Sequence, residues 1–192
     1  MFTNNNYNNN DNSNFQINKV NSGEYNIQFY LENKNIHLSK VIDFHLIKLL
    51  YELNHDIYEK IDLNILNDNE ANLLAINKHL FQDLGISQKY THLRIKKNIV
   101  EEKGKIIFYL QPIKNNSGEN SILLVIPEKA EQLPIEQFII VCNVINQHKI
   151  EIEIDFKIDI VMIELPDFVE NLLCKIFVKM FKRVKQFIEN IQ

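Results

Sequence analysis

The stretch KIEIEIDFKIDI, residues 149–160, alternates apolar and polar side chains without a break. Because successive side chains of a β-strand point to opposite faces, this pattern predicts a strand with one buried and one solvated face. The solvated face would carry five charged residues: Glu151, Glu153, Asp155, Lys157 and Asp159. Carboxylates at this spacing can share a divalent metal. Charges on the wet side of a strand explain the pattern without one, so no metal site is predicted.

Other segments show the same period of two. EYNIQFYL, residues 24–31, predicts a strand, and residues 90–100 and 105–113 predict a hairpin around the turn EEKG. Gly104 would supply the positive φ angle that such a turn needs. SILLVI, residues 121–126, predicts a further strand. Strands that follow one another and alternate in polarity favour an antiparallel sheet.

Four segments have helical apolar spacing. Ser39 is a candidate N-cap for a helix over residues 40–54, and Gly85 is a candidate C-terminal cap for a helix over residues 68–84. Pro134 precedes an apolar run, residues 135–148, that is also predicted to be helical. Residues 55–67 are ambiguous and favour a short helix or an irregular segment.

The fourth helix is the longest and begins after Pro166. Its apolar residues recur at intervals of four and three: Leu173, Phe177, Met180, Val184, Phe187 and Ile191. This spacing describes a continuous apolar seam, and further apolar residues broaden it to more than half of the circumference. A helix this apolar has to be covered, either by its own sheet or by another subunit.

These elements together predict an α+β fold, with a mainly antiparallel sheet packed by helices and a long C-terminal helix. Residues 1–22 are rich in Asn and low in complexity, so we expect a disordered tail. Residues 23–192 are predicted to form a single α+β domain, and the polar loop 114–120 is the one candidate for an internal boundary.

Sequence motifs for cofactors are absent. The four glycines are isolated, so neither G-x-G-x-x-G nor a phosphate-binding P-loop can form. The six histidines and two cysteines do not fall at the spacings of zinc sites. We therefore predict no catalytic residues, no cofactor and no metal, and favour a protein that is not an enzyme.

The two cysteines, Cys142 and Cys174, lie in apolar patterns, which predicts buried thiols in a reducing compartment. With no signal peptide and no long apolar stretch, we expect an intracellular protein without a transmembrane segment. The abundance of Ile, Asn and Lys indicates an AT-rich genome, such as that of a protist or of a virus replicating in one.

The favoured functional hypothesis is a non-catalytic structural or protein-interaction subunit of an intracellular assembly. A wide apolar face on the C-terminal helix and the absence of a site motif support it. Its partner, another protein or a second copy, would contact Phe177, Met180, Phe181, Val184 and Phe187.

One alternative is a winged-helix-like nucleic-acid-binding module in residues 40–112. Residues 69–83 would be the recognition helix and residues 94–105 the wing. Five cations near the hairpin could contact phosphates: Arg94, Lys96, Lys97, Lys103 and Lys105. The net charge of −4 does not favour a nucleic-acid partner. The other alternative is an enzyme with no recognisable motif.

Overall fold

The computed structural model describes residues 15–113, 126–159 and 167–192, and these contain nine β-strands and three α-helices. The elements in chain order are β1 (Phe15–Asn21), β2 (Glu24–Glu32), α1 (Leu38–Val41), α2 (Phe44–Glu52), β3 (Tyr58–Asn67), β4 (Glu70–Asn77), β5 (Lys89–Val100), β6 (Lys105–Pro112), β7 (Glu131–Gln132), β8 (Ile135–Asn146), β9 (Lys149–Ile158) and α3 (Asp167–Glu189).

The strands form one sheet with the order β1-β2-β9-β8-β6-β5-β4-β3, in which every neighbouring pair is antiparallel. The two-residue strand β7 pairs with β5 in parallel. Helices α2 and α3 both place aromatic rings on the same side of this sheet, which is called the inner face below. The predicted antiparallel sheet with a long C-terminal helix is therefore confirmed.

The alternation in β9 behaves as predicted. Every second residue is buried on the inner face: Ile150, Ile152, Ile154, Phe156 and Ile158. Between them, the carboxylates on the outer face accept hydrogen bonds from neighbouring strands. Asn26 Nδ2 donates to Asp155 over 2.8 Å, and both Gln28 and Tyr30 donate to Glu151 over 2.8 Å. Across the described residues, no group of three or more His, Cys, Asp or Glu side chains could hold a metal ion.

The predicted helix over residues 68–84 is wrong, because Glu70–Asn77 form strand β4 between β3 and β5. β4 is buried on both faces: Ala71, Leu73 and Ala75 point inward, and Leu74 and Ile76 pack on the other side. A strand buried on both faces has a continuous apolar run, which periodicity cannot distinguish from a buried helix. Without a helix there, residues 40–112 do not form a winged-helix module, and that alternative is wrong.

The predicted helix after Pro134 is also a strand. Residues Ile135–Asn146 form β8 between β6 and β9, and Phe138, Ile140 and Cys142 are buried on its inner face. Its run IIVCNVI is rich in β-branched residues, which favour strands. The sequence predicted a helix here because proline is tolerated in the first turn of a helix. Residues 55–67, for which the sequence favoured a short helix or an irregular segment, contain the edge strand β3.

The single helix expected over residues 40–54 is two helices, α1 and α2, separated at Ile42 and Asp43. Ile42 is buried and leaves the helical conformation, with φ −81° and ψ 88°. The Asp43 carboxylate then accepts hydrogen bonds from the backbone N–H groups of His45 (2.8 Å) and Leu46 (3.4 Å), so Asp43 is the N-cap of α2. Ser39, the predicted cap, lies inside α1.

The predicted tail is too long, because residues 15–21 form the edge strand β1. Phe15 pairs with Phe29 and Ile17 with Ile27 across β1 and β2, and the Phe15 and Phe29 rings stack with centroids 5.4 Å apart. Burial of these side chains offsets the entropy that ordering this polar segment costs.

Three predictions lie outside the described residues: the rest of the tail, the boundary at 114–120 and most of the strand at 121–126. Within the described ranges, no helix combines the length and the apolar character needed to cross a membrane.

Candidate functional site

An apolar cavity of about 110 Å³ lies between the inner face of the sheet and helices α2 and α3. Strands β2 and β9 supply Ile27, Ile154 and Phe156 to its wall, and α3 supplies Ile176, Phe177 and Met180. Interiors of folded proteins are packed with few voids larger than a water molecule, so a space of this size in the main core is unusual. The mostly apolar lining makes this cavity a candidate binding site.

Aromatic contacts between α3 and the sheet close one side of the cavity. The Phe177 ring meets Tyr25 and Phe156 edge to face, with centroid distances of 6.2 Å and 5.2 Å. One turn further on, the Phe181 ring lies 5.9 Å from that of Phe29. These contacts hold α3 across β2 and β9, so that the helix forms a wall of the cavity.

Ion pairs attach the same helix to the loop between α2 and β3. Nη1 and Nη2 of Arg183 both donate to the Asp56 carboxylate, and Lys179 Nζ lies 2.8 Å from it. Hydrogen bonds from Arg183 and Lys179 hold the pKa of Asp56 well below its usual range. Arg183 also donates to Asn54 Oδ1 over 2.9 Å, and the fully buried Asn54 amide donates to the Leu50 carbonyl over 2.6 Å.

The end of α3 is fixed by a buried amide. Asn33 Nδ2 donates to the carbonyl oxygens of Ile188 (2.6 Å) and Ile191 (2.9 Å), where the regular hydrogen bonding of the helix comes to an end. Lys185 Nζ donates to the Tyr30 carbonyl over 2.7 Å. The C-terminal half of α3 is therefore bound to the sheet by both polar and apolar contacts.

A small polar cluster interrupts the apolar lining. It consists of Tyr51 from the end of α2, Tyr58 from β3, Asn77 from β4 and Thr91 from β5. The Tyr51 and Tyr58 rings lie 4.7 Å apart. Burial raises the pKa of both phenols, so both stay protonated and uncharged in the folded protein.

The segment between β4 and β5 forms the end of the cavity nearest to solvent. Leu80, which is 39% exposed, and Phe81 line the cavity here. Lys89 also lines it, but its ammonium group is paired with the Glu131 carboxylate and donates to Ser87 Oγ over 2.8 Å.

The residues predicted to bind a partner protein are mostly inside the molecule. Met180, Phe181 and Val184 are buried against the chain's own core, and Phe177 is partly buried there. Phe187, by contrast, is 45% exposed. Since this face of α3 is covered by the sheet and lines a cavity, the prediction that it is a partner surface is wrong.

The cations predicted to bind nucleic acid do not form one surface. Arg94 and Lys96 are exposed on β5, and Lys96 pairs with Glu70 at 3.5 Å. Lys97 points to the other face, where its Nζ lies 5.3 Å from the centre of the Phe44 ring. Lys103 lies in the turn before β6 and Lys105 begins that strand. The prediction of a nucleic-acid partner is not supported by this arrangement.

Comparison with solved structures shows the fold. No family model matches the sequence, and no curated protein matches it. A STAR-related lipid transfer protein from Xanthomonas axonopodis superposes with a TM-score of 0.62 at 10% identity, covering 94% of this chain and 96% of that one. Human STARD10 gives 0.64 at 10% identity (94% and 72%). Human StAR-related lipid transfer protein 5 gives 0.56 at 11% identity (94% and 86%).

This chain therefore has the fold of these proteins. In this chain, the antiparallel sheet packs against the C-terminal helix α3. The hypothesis of a purely structural or interaction subunit is wrong, because the apolar surface on which it depended encloses a cavity in a fold shared with lipid transfer proteins.

Sequence reasoning missed every member of the polar cluster. A signal for Thr91 was present: it has the same parity as Leu93 and Ile95, which puts it on the inner face of the predicted hairpin. Asn77 could not be placed while residues 68–84 were taken for a helix.

Proposed function

We propose that this protein binds an apolar, lipid-like small molecule in the cavity beneath α3. The observation that carries the proposal is the cavity itself, an apolar space of about 110 Å³ between the sheet and the helices. Ligand sites are typically concave, largely apolar and provided with a few polar groups, and this cavity has each of these properties. The fold shared with proteins named for lipid transfer agrees with it.

Burial of the ligand's apolar surface gives a scale for binding. Each CH₂ group that moves from water into the cavity contributes about 0.8 kcal/mol, which is roughly a fourfold gain in the binding constant.

The proposal can be tested with the full chain after removal of bound lipid. We expect N-phenylnaphthylamine, an uncharged probe that fluoresces in apolar surroundings, to bind and to be displaced by medium-chain lipids. A saturating ligand stabilises the folded state by about 2.7 kcal/mol at a hundredfold excess over Kd, which raises Tm by roughly 5–10 °C.

A pair of variants separates the cavity from general packing. Ile154→Phe places a larger side chain at a residue that lines the cavity. We expect it to weaken probe binding by about tenfold or more, with little loss of stability. Ile95→Phe, at a fully buried inner-face residue outside the lining set, should cost about 1–3 kcal/mol of stability through overpacking and leave Kd unchanged.

Two results would contradict the proposal. One is that N-phenylnaphthylamine does not bind at any probe concentration although the protein is well folded. The other is equal binding by the wild type and Ile154→Phe, which would place the bound probe somewhere else.

An intracellular location, predicted from the sequence, remains part of the proposal. Both cysteines, Cys142 and Cys174, are buried thiols, which supports a reducing compartment.

A further inference from the structure

We propose that the cavity selects apolar molecules that carry an uncharged hydroxyl group, which the cluster of Tyr51, Tyr58, Asn77 and Thr91 would bind. This inference rests on the proposed function, because it concerns the chemistry of the ligand in the same cavity. Fatty alcohols belong to this class, whereas fatty acids at neutral pH do not.

Strand register brings the cluster together. Tyr58 on β3 lies directly opposite Asn77 on β4, and Ala75, two residues before Asn77, lies opposite Thr91 on β5. Neighbouring strands are about 4.8 Å apart, and residues two apart on one strand are separated by about 6.7 Å. The three polar side chains therefore project from adjacent positions of the inner face, with the small Ala75 side chain between them, and Tyr51 reaches them from α2.

Two atoms of the cluster have unmet hydrogen-bonding capacity. Thr91 is 7% exposed and lines the cavity, and its Oγ1 has no hydrogen-bond partner among the described residues. Asn77 Oδ1 is also buried, without a partner in the part of the chain that the structure describes. The side chain of Thr91 lowers the pKa of Tyr51 and so opposes the rise that burial causes, but the contact between them does not have the geometry of a hydrogen bond.

Buried polar groups without partners destabilise a protein, so each one calls for an explanation. A ligand hydroxyl supplies what these two atoms lack. Its O–H can donate to Asn77 Oδ1, and its oxygen can accept from the Thr91 hydroxyl. One small group can therefore satisfy both atoms.

The charges at the cavity favour a neutral group. The two phenols stay uncharged because burial raises the pKa of each. The cations in the described lining are Lys78, which is exposed in the segment after β4, and Lys89, which is paired with Glu131. A carboxylate beside Thr91 would be desolvated without a cation of its own, and burial of an unpaired charge is far more costly than burial of a hydroxyl.

The test compares three ligands with the same alkyl chain: decanol, decanoate and decyl methyl ether. Their dissociation constants are measured by displacement of N-phenylnaphthylamine from the lipid-free full chain. We expect decanol to bind about tenfold more tightly than decanoate. Decyl methyl ether keeps the oxygen but lacks the O–H, and it should bind about threefold to tenfold more weakly than decanol, as one lost hydrogen bond predicts.

Variants identify the side chains involved. Thr91→Val removes the hydroxyl at nearly constant volume, and we expect it to reduce decanol affinity about threefold to tenfold while Tm of the ligand-free protein stays the same or rises. Asn77→Ala should reduce the preference for decanol over decyl methyl ether. Asn72→Ala is the matched control, because Asn72 lies on the same strand with a buried, unpartnered Oδ1, but on the opposite face from the cavity.

The outcomes separate this inference from the proposed function. If no ligand displaces the probe and the probe itself does not bind, the proposed function fails. If all three ligands bind with equal affinity and Thr91→Val changes none of them, the cavity binds apolar molecules but the hydroxyl preference is wrong. A decrease in Tm for Thr91→Val with unchanged decanol affinity would show that Thr91 has a purely structural role.

Discussion

Replacing Phe177 by alanine removes the ring that joins α3 to two strands of the sheet and lines the cavity. The ring contacts Tyr25 and Phe156 edge to face, and its side chain is packed against the main core. The matched variant is Phe187→Ala on the same helix, where the ring is 45% exposed. The two residues have the same chemistry and differ in what covers them.

The cost of each change follows from this difference. Loss of a buried phenylalanine ring costs about 3–5 kcal/mol, and Phe177 belongs at the lower end because it is only partly buried, so we expect ~3 kcal/mol. For a chain of this size that value corresponds to a decrease in Tm of roughly 6–12 °C. Phe187→Ala should cost less than about 1 kcal/mol, as is usual for exposed positions.

The assay is urea denaturation of both variants and the wild type, followed by circular dichroism, with the free energy of unfolding taken from the linear dependence on urea concentration. Addition of decanol should recover more stability in Phe177→Ala than in Phe187→Ala, because only the first variant enlarges the cavity. Equal losses of stability in the two variants would refute the placement of α3, since that result requires both rings to be equally covered.

Three further predictions follow from single contacts. Asp43→Ala removes the N-cap of α2 and should lower the free energy of unfolding by about 1 kcal/mol in the same urea assay. Because Arg183 lowers the pKa of Asp56 from its ordinary value of 3.8, the stability from this ion pair is complete above about pH 4 and is lost as the pH falls further. Thermal unfolding at several pH values should therefore show a decline below about pH 4 that is smaller in Asp56→Asn. Burial raises the pKa of Cys142 to about 12, so iodoacetamide should label this thiol far more slowly in the native protein than in urea, and equal rates would contradict its burial.

Periodicity in the sequence was sufficient where polar residues alternate regularly with buried ones. The charged residues between the isoleucines of β9 identified a strand, and the same reasoning located β2 and the hairpin of β5 and β6. The spacing of Phe177, Met180 and Val184 likewise identified α3. In each case the solvated face leaves polar residues at regular intervals, and these residues mark the period.

The same reasoning failed where the periodic signal disappears. β4 is covered on both faces, so Leu73, Leu74, Ala75 and Ile76 are all buried and no polar interval remains to show a period of two. Strand β1 was missed for the opposite reason. Its few apolar residues lie in a polar, low-complexity segment, and they are stabilised by pairing with β2. Both strands are stabilised by pairing with neighbouring strands, and the spacing of residues within one segment does not show that pairing.

The sequence by itself determined that this chain forms an antiparallel sheet, that its last helix needs a wide apolar covering, and that it carries no familiar cofactor motif. Only the tertiary structure decided what covers that helix. The apolar width of α3 is the same whether a second protein or the chain's own sheet lies against it, and a gap between the two surfaces leaves no trace in the spacing of residues. A cavity is a property of how side chains from β2, β9, α2 and α3 meet in space, and for that reason the candidate site became visible only in the folded chain.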